Sequence, residues 1–460
     1  VNSDAPAPHG TDTPTGPIDW AGPQKLALGA AVAGFALWAI VGFINLGVDD
    51  HLGKTSFASS ALTGWVYWIS LPIGATALLM VHYLVKTSWG VLLKRFFEAS
   101  TRTFPLMIVL FVPIAAASLL LGHDSPYWWV DPDHHVPYHV EHAAKAPEGD
   151  AQLAAHEGKL NRVREAAQQQ VNHVVEHERK EHAEGNFSFL SGAGYIVGSI
   201  LYFAVWGGLA FCLNKWAQDA ENDPVKVESS LEKLKNISGP GLILHAIVLT
   251  AAASHWVMSL QEGWASTMFP VIMHIHQFLT TLCFSVMLLL LLKNRSPFRE
   301  VVRDKFQLDM GSLMLAFTLF WTYTSFSQMM LIWIGNLPEE IPFYLKRSSK
   351  DGWWWVSAAL IVFHFACPFI LLLFRDIKLH PLRLRIMAIY LLVFCAVDVI
   401  WWIEPTFKHE RSLFVLMDIG AIAGIGGLWG LVFINQLKKR PLLPINELFQ
   451  LPEGHSHDHH

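Results

Sequence analysis

Charge is what this sequence has least of. Asp, Glu, Lys and Arg make up 15% of its 460 residues and hydrophobic residues 52%, whereas soluble domains carry about 25% charged residues. Such a chain reads as a polytopic membrane protein. Its basic residues are scattered, with no stripe or cluster, which excludes a nucleic-acid footprint. The net charge of −5 adds little, because charges on a membrane protein gather in loops.

Cysteine is equally sparse. Cys212, Cys283, Cys367 and Cys395 each fall in or at the end of an apolar run, and no C-x-x-C or C-x-x-C-H occurs. That excludes a c-type haem, an iron–sulfur cluster and a disulfide framework. Period-two alternation is missing, which argues against a barrel. Haem b needs histidines at a matched spacing on facing helices. His245 and His255 are ten apart, and no second segment repeats that interval. The polar, Pro/Gly-rich start lacks the basic-then-apolar order of a cleaved signal peptide. Residues 1–24 are expected to form a disordered cytoplasmic leader.

What is present is a series of long apolar runs. Ten spans are expected at about 25–48, 62–85, 103–122, 190–213, 240–261, 268–292, 309–334, 353–374, 384–403 and 413–437. Of the 33 Lys and Arg, 21 fall to the two termini and the even-numbered loops and 12 to the odd ones, six of these in the long 123–189 insert. By the positive-inside rule both termini are cytoplasmic, and the insert faces outward. No Lys or Arg lies in a span interior. Most tryptophans fall near the outer ends, as an aromatic belt or a docking surface. The insert holds nine histidines and a polar helix over about 150–184. His173 and His177 stand there at i, i+4 without a third ligand, so no metal site is expected. The segment 438–460 reads as a cytoplasmic tail. Weak similarity between span ends suggests two four-helix bundles, spans 2–5 and 6–9, with spans 1 and 10 peripheral. The fold expected is therefore an all-α integral membrane protein of ten transmembrane helices.

Ionisable groups inside spans cost on the order of 3 kcal/mol each on insertion scales and so ask for an explanation. The hairpin 245–276 carries four histidines: His245, His255, His274 and His276. Proton-pathway candidates are His82, His245, His364, Asp398, Asp418, His274 and His276. Histidine and carboxylate are the residue types that carry protons near neutral pH. His274 and His276, two apart, cannot share one helix face. Quinone-pocket candidates are His123, Asp124, His255 and Glu262, placed toward the outer side, where a base could accept a quinol proton. His245 and His82 fall toward the cytoplasmic ends. Each histidine can equally be a packing residue bonded to a hydroxyl or carbonyl. The outer acids can sit in headgroup water, and span 7, rich in Thr and Ser, can owe its polarity to helix packing.

Over spans 5 to 9, HWVMSLQEGWASTMFPV, SFSQMMLIWIGNLPEEIPFYLKRSSKDGWW, FHFACPFILLLFRDIK and DVIWWIEP resemble one family. It is the second large membrane subunit of alternative complex III, the ActF type, within the NrfD-like, polysulfide-reductase-like membrane subunits. The resemblance implies a bacterial inner-membrane subunit of a complex that oxidises menaquinol or another quinol. Electrons would pass through iron–sulfur and c-haem subunits to a cytochrome c, a high-potential iron–sulfur protein or an oxidase. It implies a paralogous large membrane subunit as partner and better-supported quinol site, and part of a proton route in this chain. It implies no redox centre or covalent cofactor here; quinone or menaquinone and lipids are the ligands to expect. Asp398 falls at the family's acidic position in span 9, and His364 at its span-8 histidine. The chain departs from the pattern where His255 replaces an Asp and where Gln261-Glu262-Gly263 replaces an acidic residue and Pro. Two other readings are a stand-alone proton-coupled transporter and a non-conducting scaffold of the same complex.

Overall fold

The computed structural model describes residues 19–48, 50–85, 87–130, 189–261, 264–335, 340–348, 352–407 and 413–443, and among them there is no strand. The expected polar helix with His173 and His177, Glu262 and most of the leader and tail lie outside the described residues. Twelve helices carry the architecture: α1 (Ala21–Val48), α2 (Asp50–Val85), α3 (Ser88–Thr101), α4 (Phe104–Leu120), α5 (Gly192–Asn222), α6 (Val227–Trp256), α7 (Phe269–Leu292), α8 (Asp304–Gly335), α9 (Ile341–Arg347), α10 (Trp353–Leu373), α11 (Pro381–Ile403) and α12 (Leu413–Leu437). Eight of them are long and apolar enough to cross a membrane, and nine crossings result if α3 and α4, bent by 40° at their junction, count as one. This is a multi-pass, all-α membrane protein. At 32 residues α8 has the length as well, but its Thr/Ser-rich middle keeps it out of that apolar set.

Helix starts follow local chemistry. The Ser191 hydroxyl accepts from Gly194 N (3.1 Å) to cap α5, and Ser266 accepts from Met268 N and Phe269 N ahead of α7. Proline in the first turn of α4, α7 and α11 fits where no N–H bond is needed.

The most enclosed span is α2, 78% buried along its apolar window. It packs against α4, α5 and α6 on one side and against α7 on the other. Next to α7 lie α8 and α11, with α10 against both of these. Along another edge of α2 runs α12, itself covered by α1. The α1–α12 approach depends on small residues: a side chain at Gly427 would strike the backbone of Ala27 and Ala31. At the α2–α7 seam, a Cβ on Gly74 would collide with the Gln277 carbonyl and the Thr281 hydroxyl.

The sequence suggested a polar loop over 86–102. Instead α3 is an amphipathic helix that buries Leu92, Leu93, Phe96 and Phe97. Its polar face is buried as well. Arg95 bonds Glu98 (2.7 Å) and Glu221 on α5 (2.8 Å), and Lys94 lies 3.8 and 3.7 Å from the same two carboxylates. Pairing of this kind offsets the cost of burying these charges. Removing the space at Gly74 should be costly. Gly74→Val should destabilise the purified chain by on the order of 3 kcal/mol, read as an earlier thermal unfolding midpoint in detergent. Gly29→Val, with open space around it, should leave the midpoint unchanged.

Candidate functional site

The proton-pathway candidates sort into separate groups. Three come together between α7, α8, α10 and α11. Asp398, on α11, is 1% exposed, and His276 and His364 are fully buried. Asp398 Oδ2 accepts from Trp321 Nε1 at 2.9 Å and lies 3.1 Å from His276 Nδ1. The His364 ring stacks on Trp321 at 4.2 Å, and His276 packs on Trp402 at 4.7 Å. An ionised carboxylate only accepts, so beside it His276 must donate from Nδ1. His276 Nε2 is then the imidazole lone pair, and it has no protein partner. Asp398 Oδ1 and both nitrogens of His364 are likewise buried without a hydrogen bond. The Phe394 carbonyl lies beside the His364 ring but is not aligned to accept from it. Buried polar atoms are nearly always satisfied, so four such atoms in one place mark a site rather than a packing detail.

The local backbone explains how His364 is aimed. Pro368 has no N–H for the His364 carbonyl, its i−4 partner, and its ring crowds that carbonyl. The helix responds with a π-helical segment over Leu360–Ala366, in which Cys367 N–H reaches back to Val362 O. Such segments recur at functional sites.

A cavity of about 610 Å³ adjoins the cluster. It lies among α7, α8, α9, α10 and α11, and its walls are mostly aromatic: Trp264, Phe269, Phe326, Phe343 and Trp401 among them, with Asp398 and Trp321 at one side and Arg347 at another. Arg347 is 1% exposed and, among the described residues, pairs with no carboxylate. Its guanidinium bonds Trp401 O (2.9 Å), Trp402 O (2.6 Å) and Phe343 O (2.8 Å) and stacks on the Phe343 ring at 3.4 Å. The first two are carbonyls of the last turn of α11, where a cation meets the negative end of the helix dipole. Burial pushes the Arg347 guanidinium down, to about 9, so it stays charged at neutral pH.

His245 and His274 form a second group. Their rings are 5.3 Å apart, and Trp206 Nε1 donates to His245 Nδ1 at 3.1 Å. His274 Nδ1 bonds Pro270 O at 3.2 Å, so that nitrogen carries the proton. The sequence placed His245 toward the opposite membrane face from His274. The structure corrects this: α6 is longer at its start than the apolar run, and His245 sits level with His274. As their spacing required, His274 and His276 point to different neighbours. Asp418 lies near Glu404. Ser59 (3.3 Å) and Thr63 (3.0 Å) donate to Glu404. His82 stands apart near the end of α2, 3.5 Å from Thr87.

Of the quinone-pocket candidates, the two whose side chains are described, His255 and Asp124, do not line the cavity beside Asp398. Both His255 nitrogens are engaged: Nε2 donates to Phe189 O at 2.7 Å, and Nδ1 accepts from Tyr202 OH at 2.9 Å. Asp124 pairs with Lys54 at 3.5 Å. Glu262 and the side chain of His123 lie outside the described residues. The sequence reading missed Trp321 and Arg347. The signal for Arg347 was a basic group, Lys346, Arg347 and Lys350, in a loop expected to face outward.

No family model matches the chain, and no curated protein matches it. Arg347→Met should strand two carbonyls of α11 and cost about 3 kcal/mol of stability, measured as an earlier unfolding midpoint in detergent. Arg347→Lys should recover only part of the loss, since one ammonium cannot hold three carbonyls in a plane.

Proposed function

We propose that this chain is an integral subunit of a respiratory quinol:electron-acceptor oxidoreductase, with cytochrome c or a high-potential iron–sulfur protein as acceptor, and that it carries protons through the His276–Asp398 pair. The single observation behind the proton reading is a buried His–Asp pair in which His276 Nε2 and Asp398 Oδ1 have no protein partner and Asp398 lines a cavity. The link to a quinol-oxidising complex comes from the sequence resemblance. His276 Nε2 accepts a proton, the imidazolium is balanced by Asp398, and the proton leaves through a neighbouring group. Trp321 fixes the carboxylate while this happens, as a neutral donor that does not titrate.

The quinone reading moves with the cavity. A hydroquinone has hydroxyls to donate, and an ionised Asp398 Oδ1 can accept one; aromatic walls suit the ring and isoprenoid tail. An oxidised quinone only accepts, so the carboxylate would favour the reduced form. In the full topology we infer, α3–α4 and α8 complete ten crossings, in two four-helix bundles joined at α2–α7 with both termini cytoplasmic. A paralogous membrane subunit and iron–sulfur and c-haem subunits are the partners. Against a stand-alone proton-coupled transporter, the described spans lack the paired Gly/Pro-broken helices expected around a substrate site. Affinity purification separates the readings, because a transporter emerges without haem or iron–sulfur proteins.

In the reconstituted complex, Asp398→Asn should lower protons moved per electron several-fold while subunit composition stays intact. Undiminished proton movement with normal electron flux would leave the chain a scaffold.

A further inference from the structure

A second cavity, of about 660 Å³, opens where the ends of three helices meet: the start of α4, the end of α5 and the end of α12. Its two halves differ in chemistry. One is apolar, formed by Phe104, Pro105, Ile108 and Phe211. The other carries Arg102, Lys215, Lys439 and Arg440, with Asp219 as the one carboxylate and Asn214 and Gln218 beside it. We propose that this groove is a binding site for an anionic phospholipid, with the phosphate held by Arg102, Arg440, Lys215 and Lys439 and an acyl chain lying along Phe104, Ile108 and Phe211.

Charge balance carries the argument. Behind the groove, Glu98 takes Arg95, Arg440 (3.2 Å) and more distantly Arg102 and Lys94 (3.8 Å each), and Glu221 takes Arg95 and Lys94. Four cations thus share two carboxylates. With Lys215 and Lys439 against Asp219, the whole assembly keeps an excess of three positive charges. Arg102 Nη2 is buried without a hydrogen bond, while Arg102 Nε is held by Asn214 Oδ1 at 2.8 Å. Arg440 is fixed by Gln218 Oε1 (2.7 Å) and the Asn214 carbonyl (3.3 Å). The guanidiniums are therefore positioned before any ligand arrives. The N-terminus of α4, a helix of 17 residues, adds its positive dipole end to the same place. Basic pockets between membrane helices at the positive-inside face are where anionic headgroups bind. A free anion would use the basic half alone. The exposed apolar half, with Phe211 65% exposed, fits a ligand with a hydrocarbon chain.

The test uses the full chain in a zwitterionic detergent, titrated with dioleoyl phosphatidylglycerol or dioleoyl phosphatidylcholine and read by native mass spectrometry. Phosphatidylglycerol should bind at least tenfold more tightly. Lys215 and Lys439 are exposed, so Lys215→Gln with Lys439→Gln should fold normally and weaken phosphatidylglycerol by about fivefold per lysine, about 25-fold together. The double variant Lys233→Gln, Lys235→Gln makes the same charge change on α6, away from the groove, and should bind as the parent does. Equal binding of the two lipids would reduce the groove to ordinary annular contact and overturn the proposal. So would an equal loss in the α6 variant. Displacement of the lipid by millimolar inorganic phosphate would show a free-anion site instead, and would also overturn it.

Discussion

At the seam between α2 and α7, Gly74 leaves room for the Gln277 carbonyl and the Thr281 hydroxyl. Thr281 Oγ1 reaches the Ser70 and Leu71 carbonyls at 3.4 and 3.3 Å. Both carbonyls lie beside Pro72 in α2. In a membrane, polar groups along a seam cannot turn to solvent and must be met by a neighbouring helix. The seam meets the Thr281 hydroxyl in this way and also sets the distance between the two halves of the molecule. On one side, α2 carries α4, α5, α6 and the α12–α1 pair; on the other, α7 carries α8 and α11. A wider seam would separate His274 on α7 from His245 on α6.

The site exists because α7 is polar on two faces. His274, Gln277 and Thr281 fall on one, and His276, Thr280 and Cys283 on another, at the i, i+3, i+4 intervals that share a helix face. The first meets α6 and α2, the second α11. Gln277 is fully buried with both amide atoms unpartnered, and it neighbours His276 in sequence. Thus α7 carries one histidine of each group, His274 on one face and His276 on the other.

Much of this was legible from the chain. Apolar runs gave the helices, because in lipid there is little else for such runs to become. Asp398 and His364 stood out as ionisable groups deep in a span, and the structure brings them to one cluster. The spacing of His274 and His276 fixed their divergence. The rest required partners that sequence does not name. His255 looked like a base for a pocket and is instead fastened on both nitrogens by Tyr202 and Phe189, residues more than fifty positions away. His245 was misplaced in depth because hydropathy marks where a helix enters the hydrocarbon and not where the helix begins. The helix α3 was hidden because its charges are satisfied by Glu221 on α5, so a stretch that reads as a loop can be packed inside.

The polarity of α8 shows how far composition alone can mislead. Thr318, Thr322 and Thr324 return their hydroxyls to carbonyls one turn back, at 2.9, 2.8 and 2.9 Å. These residues are self-satisfied and need neither water nor a proton route. Ser325 Oγ has no partner and, with Trp321, lines the cavity. Tyr323 and Gln328 line it too, so α8 brings a phenol and an amide to the cavity besides the Trp321 indole and the Ser325 hydroxyl. Arg347 is already committed: its three bonds go to backbone carbonyls and its charge to the α11 dipole, which leaves it little capacity to recognise a ligand. Asp398 is the one carboxylate among the lining residues, and its Oδ1 is buried without a hydrogen bond.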